Sequence, residues 1–251
     1  MQEVLDKIKD CVFTIILNRP ERKNAMNSEL LEALYKTLEK AEKMGAEIVV
    51  LRGAGGAFCA GGDIVEFRQA EDAGIRIDAM ADTLHKCIKK IRKMGSIVIS
   101  VVEGVAVGAG FGLAVACDLT VATNNSIMNM GYRRIGLTPD GGGSLTIPRL
   151  IGAKRFNELY LLSKNIDMAE AKNLGLVNVV CDEKDLENTL ENLIKELKSL
   201  PMETIKKFKD LVNHSYYFNL EAHLDLEKLY ISELAEKPLF KERLDSFFRK
   251  K

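Results

Sequence analysis

Several chemistries are excluded by what this chain does not contain. It has no CxxC pair. Its five cysteines (Cys11, Cys59, Cys87, Cys117 and Cys181) are scattered and odd in number, which suits neither a disulfide framework nor a zinc site. Reduced thiols in a cytoplasm are the expectation. The chain has no surplus charge, since Lys+Arg and Asp+Glu are both 36. A broad field for nucleic acid or an acidic membrane is therefore not expected, and any anionic ligand must meet a local basic cluster. No uncharged apolar run reaches membrane length, and the opening Met-Gln-Glu-Val-Leu-Asp-Lys has no apolar signal region, so neither spanning nor secretion is expected. There is no GxxxxGK[ST] phosphate loop and no GxSxG nucleophile elbow. The three histidines, His85, His214 and His223, are dispersed, and surface or packing roles are expected for them.

What is present is the profile of a globular protein: 251 residues, 47% hydrophobic and 29% charged. Chains of this length hide about 70–75% of the surface they expose unfolded. Cys11 to Leu17 reads as a strand ended by Pro20, and Ser28 opens a helix to about Met44 with Leu30, Leu31, Leu34 and Leu38 at helical spacing. Ile48 to Leu51, Ile97 to Val102 and Leu119 to Ala122 read as buried strands. A second helix begins near Asp63 and a Lys-rich third runs from about Ala79 to Lys93. The apolar runs are continuous rather than alternating, which predicts parallel strands covered on both faces of an α/β fold. After Ile151 the pattern reads as helices only. The expected organisation is an α/β core over residues 1–195 and a helical region over 196–251.

Three segments can carry chemistry. In Ala57-Phe-Cys-Ala-Gly-Gly-Asp-Ile64, Gly61 and Gly62 allow close backbone approach. Asp63 and Glu66 have the form of an N-terminal capping pair that would aim amides near Gly62 outward. Taken alone, the segment reads better as a loop that merely turns the chain. In Gly104-Val-Ala-Val-Gly-Ala-Gly-Phe-Gly112 the glycines miss the GxGxxG order and follow a late strand, which excludes a dinucleotide fingerprint. Two such turns can instead supply two convergent amides. In Arg134-Ile-Gly-Leu-Thr-Pro-Asp-Gly-Gly-Gly-Ser144, Asp140 taken alone reads as a turn residue capping the next helix, but its surroundings are Ile135, Leu137, Leu145 and Ile147. In such apolar surroundings its pKa rises toward that of a useful base.

In this order and spacing the segments, with Asn18-Arg-Pro-Glu-Arg-Lys-Asn-Ala-Met26 and Ala169-Glu-Ala-Lys-Asn-Leu-Gly-Leu-Val177, resemble the crotonase superfamily (enoyl-CoA hydratase/isomerase) along essentially the whole chain. The resemblance implies a ClpP-like spiral of repeated ββα units with a C-terminal helical region. It implies an acyl-CoA thioester substrate, with no cofactor and no metal beyond the coenzyme A that the substrate carries. The oxyanion amides would be those of Gly62 and Ala109. Arg22, Lys23, Ala25, Ala60, Gly61, Asp63 and Ile64 would meet the coenzyme, Ala60 through its carbonyl and Arg22 or Lys23 at phosphate. The two glutamates of the hydratases correspond to Gly112 and Tyr132, neither of which is a carboxylate, while Asp140 stands where isomerases of the superfamily place their single acid. Leu-Thr-Pro-Asp-Gly-Gly and Leu224-Asp-Leu-Glu227…Tyr230 are similar to the phenylacetate-pathway ring-epoxide isomerase.

The implied activity is an acyl-CoA isomerisation moving a double bond from position 3 to 2, on a chain or on a ring-derived thioester. A hydratase using another acid, or a non-catalytic or RNA-binding member, is the alternative. Glu66, Glu103 and Glu158 are the nearest candidates for such an acid, with capping or solvated roles expected. Cys59 is expected to be a buried apolar residue. The basic run His85 to Lys93 is expected to be a solvated helix face rather than a nucleic-acid surface. Phe67, Met80, Leu84 and Tyr132 would shape the pocket, and Lys250 and Lys251 could reach the coenzyme phosphates. Trimers or paired trimers are usual in the family, and the same assembly is expected here.

Overall fold

The computed structural model describes residues 2–249. The first two strands, β1 (Val4–Lys9) and β2 (Val12–Leu17), form a hairpin. Its two-residue turn, Asp10-Cys11, holds both residues at positive φ, 49° and 62°, the conformation of tight hairpins whose twist matches that of their strands. Then follow α1 (Ser28–Lys43), β3 (Ile48–Gly53), α2 (Ile64–Gln69), α3 (Ala73–Lys93), β4 (Ile97–Val102), β5 (Val105–Val107) and α4 (Ala109–Ala116). The chain continues through β6 (Leu119–Thr123), β7 (Ile127–Asn129), α5 (Gly143–Ile151), α6 (Ala153–Leu162), β8 (Ile166–Asp167), α7 (Met168–Asn173), β9 (Val179–Cys181) and α8 (Leu186–Leu197). Three helices close it: α9 (Met202–Tyr216), α10 (Leu220–Ala235) and α11 (Pro238–Arg249).

The large sheet has the order β1-β2-β3-β4-β6-β9, with β1 antiparallel to β2 and every later pairing parallel. Its central strands show why continuous apolar runs were needed. On β3, Val49 and Leu51 join the main core while Ile48 and Val50 join a second core on the opposite face with Leu186 and Leu190 of α8. Val98 and Val102 of β4 divide from Ile97, Ile99 and Val101 in the same way. Alternate side chains therefore both leave water, as in a sheet covered on two faces.

The spiral arises because each long strand is followed by a short extended piece and then a helix. After β2 comes Met26, after β3 the segment through Cys59 and Gly62, after β4 comes β5, and after β6 comes β7. Neighbouring short pieces pair in parallel: Met26 with Gly62, Cys59 with Ala106, and β5 with β7. This is the repeated ββα winding of the crotonase fold.

The expected pattern needs three corrections. Strand β1 escaped the sequence reading because its Asp and Lys residues break the apolar run; as an edge strand it exposes Leu5 and Ile8. Helix α3 begins at Ala73 rather than near 79, since Asp72 caps it by accepting from the Ile75 N–H at 3.0 Å. The chain after Ile151 is not purely helical: β8 and β9 are two and three residues long, too short to show a period.

One carboxylate helps to fasten the helical region to the sheet. Asp118 accepts from Arg92 of α3 at 3.1 Å, from Lys209 of α9 at 2.7 Å and from the Val98 N–H at 2.8 Å. Both cations are buried. Removing one partner of such a cluster leaves uncompensated buried charge. Asp118→Ala is expected to destabilise the protein by roughly 3–5 kcal/mol, read as a lowered urea midpoint with unchanged slope.

Candidate active site

The site forms where consecutive turns of the spiral pass from short strand into helix. Met26 donates its N–H to the Gly61 carbonyl at 2.7 Å and accepts from the Asp63 N–H at 2.8 Å. The N–H of Gly62, between these two, stays outside the pairing. Gly61 has φ +93°, and a Cβ there would lie 2.7 Å from the Val107 carbonyl oxygen, so only glycine lets the two turns come this close. On the second turn Gly108 donates to Asn129 at 2.9 Å. Ala109 is the first residue of α4, and an N–H at that position has no intrahelical acceptor. Gly62 and Ala109 both line one cavity of about 470 Å³.

Asp140 lines the same cavity from the next turn and is 7% exposed. Its Oδ1 accepts from the hydroxyl of buried Tyr132 at 2.6 Å. Among the described residues Oδ2 has no protein partner, which leaves it for whatever enters. Burial raises the carboxyl to about 6, with the Tyr132 bond opposing the rise. Burial, reinforced by the Asp140 charge, in turn holds the Tyr132 phenol well above its usual range. Tyr132 therefore remains a donor while Asp140 gains and loses a proton near neutrality.

All the residues expected to meet a coenzyme, Arg22, Lys23, Ala25, Ala60, Gly61, Asp63 and Ile64, line this cavity. Arg22 and Lys23 are exposed at its rim. The Asp63 side chain is already engaged: it accepts from Arg19 at 2.8 Å and from the Val65 N–H at 3.0 Å as the cap of α2. Glu66 does not complete the expected capping pair. It accepts instead from the Ser28 hydroxyl at 2.5 Å and the Ser28 N–H at 3.0 Å, tying α2 to α1. Phe67, Met80, Leu84 and Tyr132 all face the cavity, as do Phe247 and Phe248 of α11. Phe248 stacks under the Arg68 guanidinium at 4.8 Å. Lys250 and Lys251 lie outside the described residues.

Other candidates fall away from the cavity. Glu103 pairs with Arg52 and Glu158 with Arg155. Burial pushes the Cys59 thiol up to about 12, so it stays protonated. In the basic helix, Lys86, Lys90, Arg92 and Lys93 are paired with Asp82, Glu42, Asp118 and Glu221. A more open cavity of about 660 Å³ between α3, α9 and α10 is lined by Arg92 and Lys209, whose charges are bound to Asp118. At Gly112 a Cβ would meet the Gly141 carbonyl oxygen at 2.8 Å and that of Asp140 at 3.3 Å. A glutamate there would have to displace the Asp140 segment.

The sequence reading missed three groups behind the cavity. Glu227 of α10 accepts from the N–H groups of Gly142 and Ser144, and His85 of α3 accepts from the Gly141 N–H. His223 meets the Ser144 hydroxyl at 2.7 Å. Distance along the chain hid them. The one signal was the likeness of Leu224-Asp-Leu-Glu227 to a relative's tail.

The ββα spiral of the crotonase fold brings the Gly62 and Ala109 backbones and the buried Asp140 carboxylate to a single cavity. The chain belongs to the enoyl-CoA hydratase/isomerase family, whose model matches residues 7–251. It is 30% identical to the 1,2-epoxyphenylacetyl-CoA isomerase of Escherichia coli, covering 100% of this chain and 97% of that protein. It is 28% identical to the trans-2-decenoyl-[acyl-carrier-protein] isomerase of Streptococcus mutans, covering 100% and 96%. The solved structure of an enoyl-CoA hydratase from Mycobacterium avium subsp. paratuberculosis superposes with TM-score 0.90 at 27% identity, over 99% of this chain and 96% of that one. No helix among the described residues is long and apolar enough to cross a membrane.

The Tyr132 bond favours the charged form of Asp140, so its loss disfavours that form. A carboxyl ¹³C titration is expected to place Asp140 near 6 in the native protein and at a higher pH in Tyr132→Phe.

Proposed function

We propose that this enzyme is an acyl-CoA isomerase that moves a double bond from position 3 to position 2, with Asp140 as the single proton-transferring base. The observation that carries this reading is the isolation of Asp140. Of the cavity's carboxylates, Asp63 is bound to Arg19 and Glu21 is exposed at the rim. Among the described residues, Asp140 alone of the three is both buried and without a cation partner.

In this reading the amides of Gly62 and Ala109 form an oxyanion hole for the thioester oxygen. Their bonds strengthen as the enolate forms, and one such donor is worth about 2.7–4 kcal/mol of barrier. Ionised Asp140 takes the proton from C2, and the electron pair spreads through C1 onto the thioester oxygen and, through the C3–C4 double bond, onto C4. The resulting carboxylic acid returns the proton at C4, leaving the double bond between C2 and C3. One base completes this cycle, whereas hydration needs a second group to activate water. The hydratase glutamate positions are Gly112, which has no room for one, and Tyr132, which is bound to Asp140. Leu31, Phe67, Ile77 and Met80 offer an apolar wall for the acyl group, and Arg22 and Lys23 stand at the mouth for the coenzyme phosphates. Exposed Phe208 and Leu211 on α9 and Leu161 and Leu162 near the end of α6 suit association into trimers or paired trimers.

Purified protein is expected to convert 3-enoyl-CoA into the conjugated 2-isomer, with kcat/KM falling as the pH drops through about 6. Asp140→Asn is expected to lower kcat by about 10²–10⁴-fold. Rapid hydration of 2-enoyl-CoA beside inert 3-enoyl-CoA would overturn the proposal.

A further inference from the structure

The segment after Asp140 is Gly141-Gly-Gly-Ser144, with φ +61° at Gly141 and +75° at Gly142. Three glycines in a row have no side chains to fix their own conformation, so such a run is the most mobile anchor a base could have. Its restraint comes from elsewhere in the chain. The Gly141 N–H donates to Nε2 of His85 at 3.3 Å. The Gly142 N–H donates to Glu227 Oε2 at 2.8 Å, and the Ser144 N–H and hydroxyl donate to Glu227 Oε1 at 2.9 Å and 2.5 Å. The Gly143 N–H closes the turn onto the Asp140 carbonyl at 3.0 Å. Every amide from 141 to 144 is thereby fixed, half of them by one side chain.

Glu227 is 4% exposed and does not line the cavity, so it holds the base's loop from behind without meeting substrate. We propose, on the reading of Asp140 as the base, that Glu227 is a positioning residue: the carboxylate from α10 locks the glycine run and so aims Asp140 into the cavity.

The groups facing Glu227 come from three elements. His85 of α3 and His223 of α10 each place Nε2 3.7 Å from it, and Asp140 acts across the loop. Lys89 and Lys228 bear on His85, and Arg149 on His223. Burial pushes His85 down to about 3, so it is neutral and accepts through Nε2. Burial raises Glu227 to about 7, with the Ser144 and Gly142 bonds opposing and the Asp140 charge adding to the rise. Ionised carboxylates accept more strongly than protonated ones. The clamp therefore tightens as pH rises through 7, above the ionisation of the base.

Glu227→Gln keeps the shape but replaces one acceptor oxygen with an NH₂ that cannot accept from an amide. On 3-enoyl-CoA its kcat is expected to fall about tenfold or more, as misaimed catalytic groups do, with KM within about twofold of native. The native kcat is expected to climb in two steps, near pH 6 and near pH 7, and the variant to lose the upper one. Superimposable profiles and equal kcat, or a raised KM at native kcat, would overturn the proposal. Should Glu227→Gln not fold, Ser144→Ala removes only the hydroxyl bond. A severalfold loss of kcat at native KM is expected there, and native kcat would overturn the proposal. Asp140→Asn is measured alongside. Turnover in that variant overturns the base assignment and this proposal together, whereas an inactive Asp140→Asn beside a native-like Glu227→Gln overturns this proposal alone.

Discussion

Backbone packed directly against backbone is the constraint from which the site follows. The turn at Gly61 rests on the Val107 carbonyl, and the turn at Gly141 rests on Gly112 of α4. Side chains would hold these turns apart by the width of a methyl group or more. With them absent, Ala109 at the start of α4 and Gly62 line one cavity, the Gly62 N–H having no acceptor among the described residues. Helix α4 is buried along its whole length, so this arrangement sits inside the core. Interiors at crystal-like density transmit such shifts rather than absorb them.

The second determinant is how a carboxylate survives beside that seam. Asp140 is removed from water, and the Tyr132 hydroxyl and a backbone hydrogen bond compensate only in part. Burial outweighs them, so Asp140 shares its proton near neutrality. Behind it a second buried carboxylate, Glu227, is satisfied by two amides and a hydroxyl. The two acids are thus sorted by environment, one left a free oxygen toward the cavity and the other enclosed by donors.

Much of this was legible before any coordinates. The apolar runs at 48–51 and 97–102 announced strands covered on both faces, and Gly61, Gly62 and Asp140 stand out in local composition, whereas Ala109 follows only from the family resemblance. They were legible because glycine, proline and a carboxylate in an apolar stretch have few structural uses. Strand β1 was hidden because an edge strand tolerates Asp and Lys, and β9 because three residues carry no period. His85, His223 and Glu227 were hidden for a different reason. Each is an ordinary residue on an ordinary helix, and its meaning lies in a glycine segment far away in sequence. The Asp63–Glu66 pair misled in the opposite sense: its spacing matched a local cap, but Ser28 offered Glu66 better donors.

The cavity's walls also bear on how the protein acquires its shape. Arg22 and Lys23 form one lip, and Phe247 and Phe248 close the other side. A nascent polypeptide that already winds the spiral would still lack the wall that Phe247 and Phe248 give the cavity beside α2. Contacts of such long sequence separation form late and slowly, and exposed apolar surface in the interval invites self-association. The cavity's enclosure thus rests on a helix far in sequence from the turns it covers.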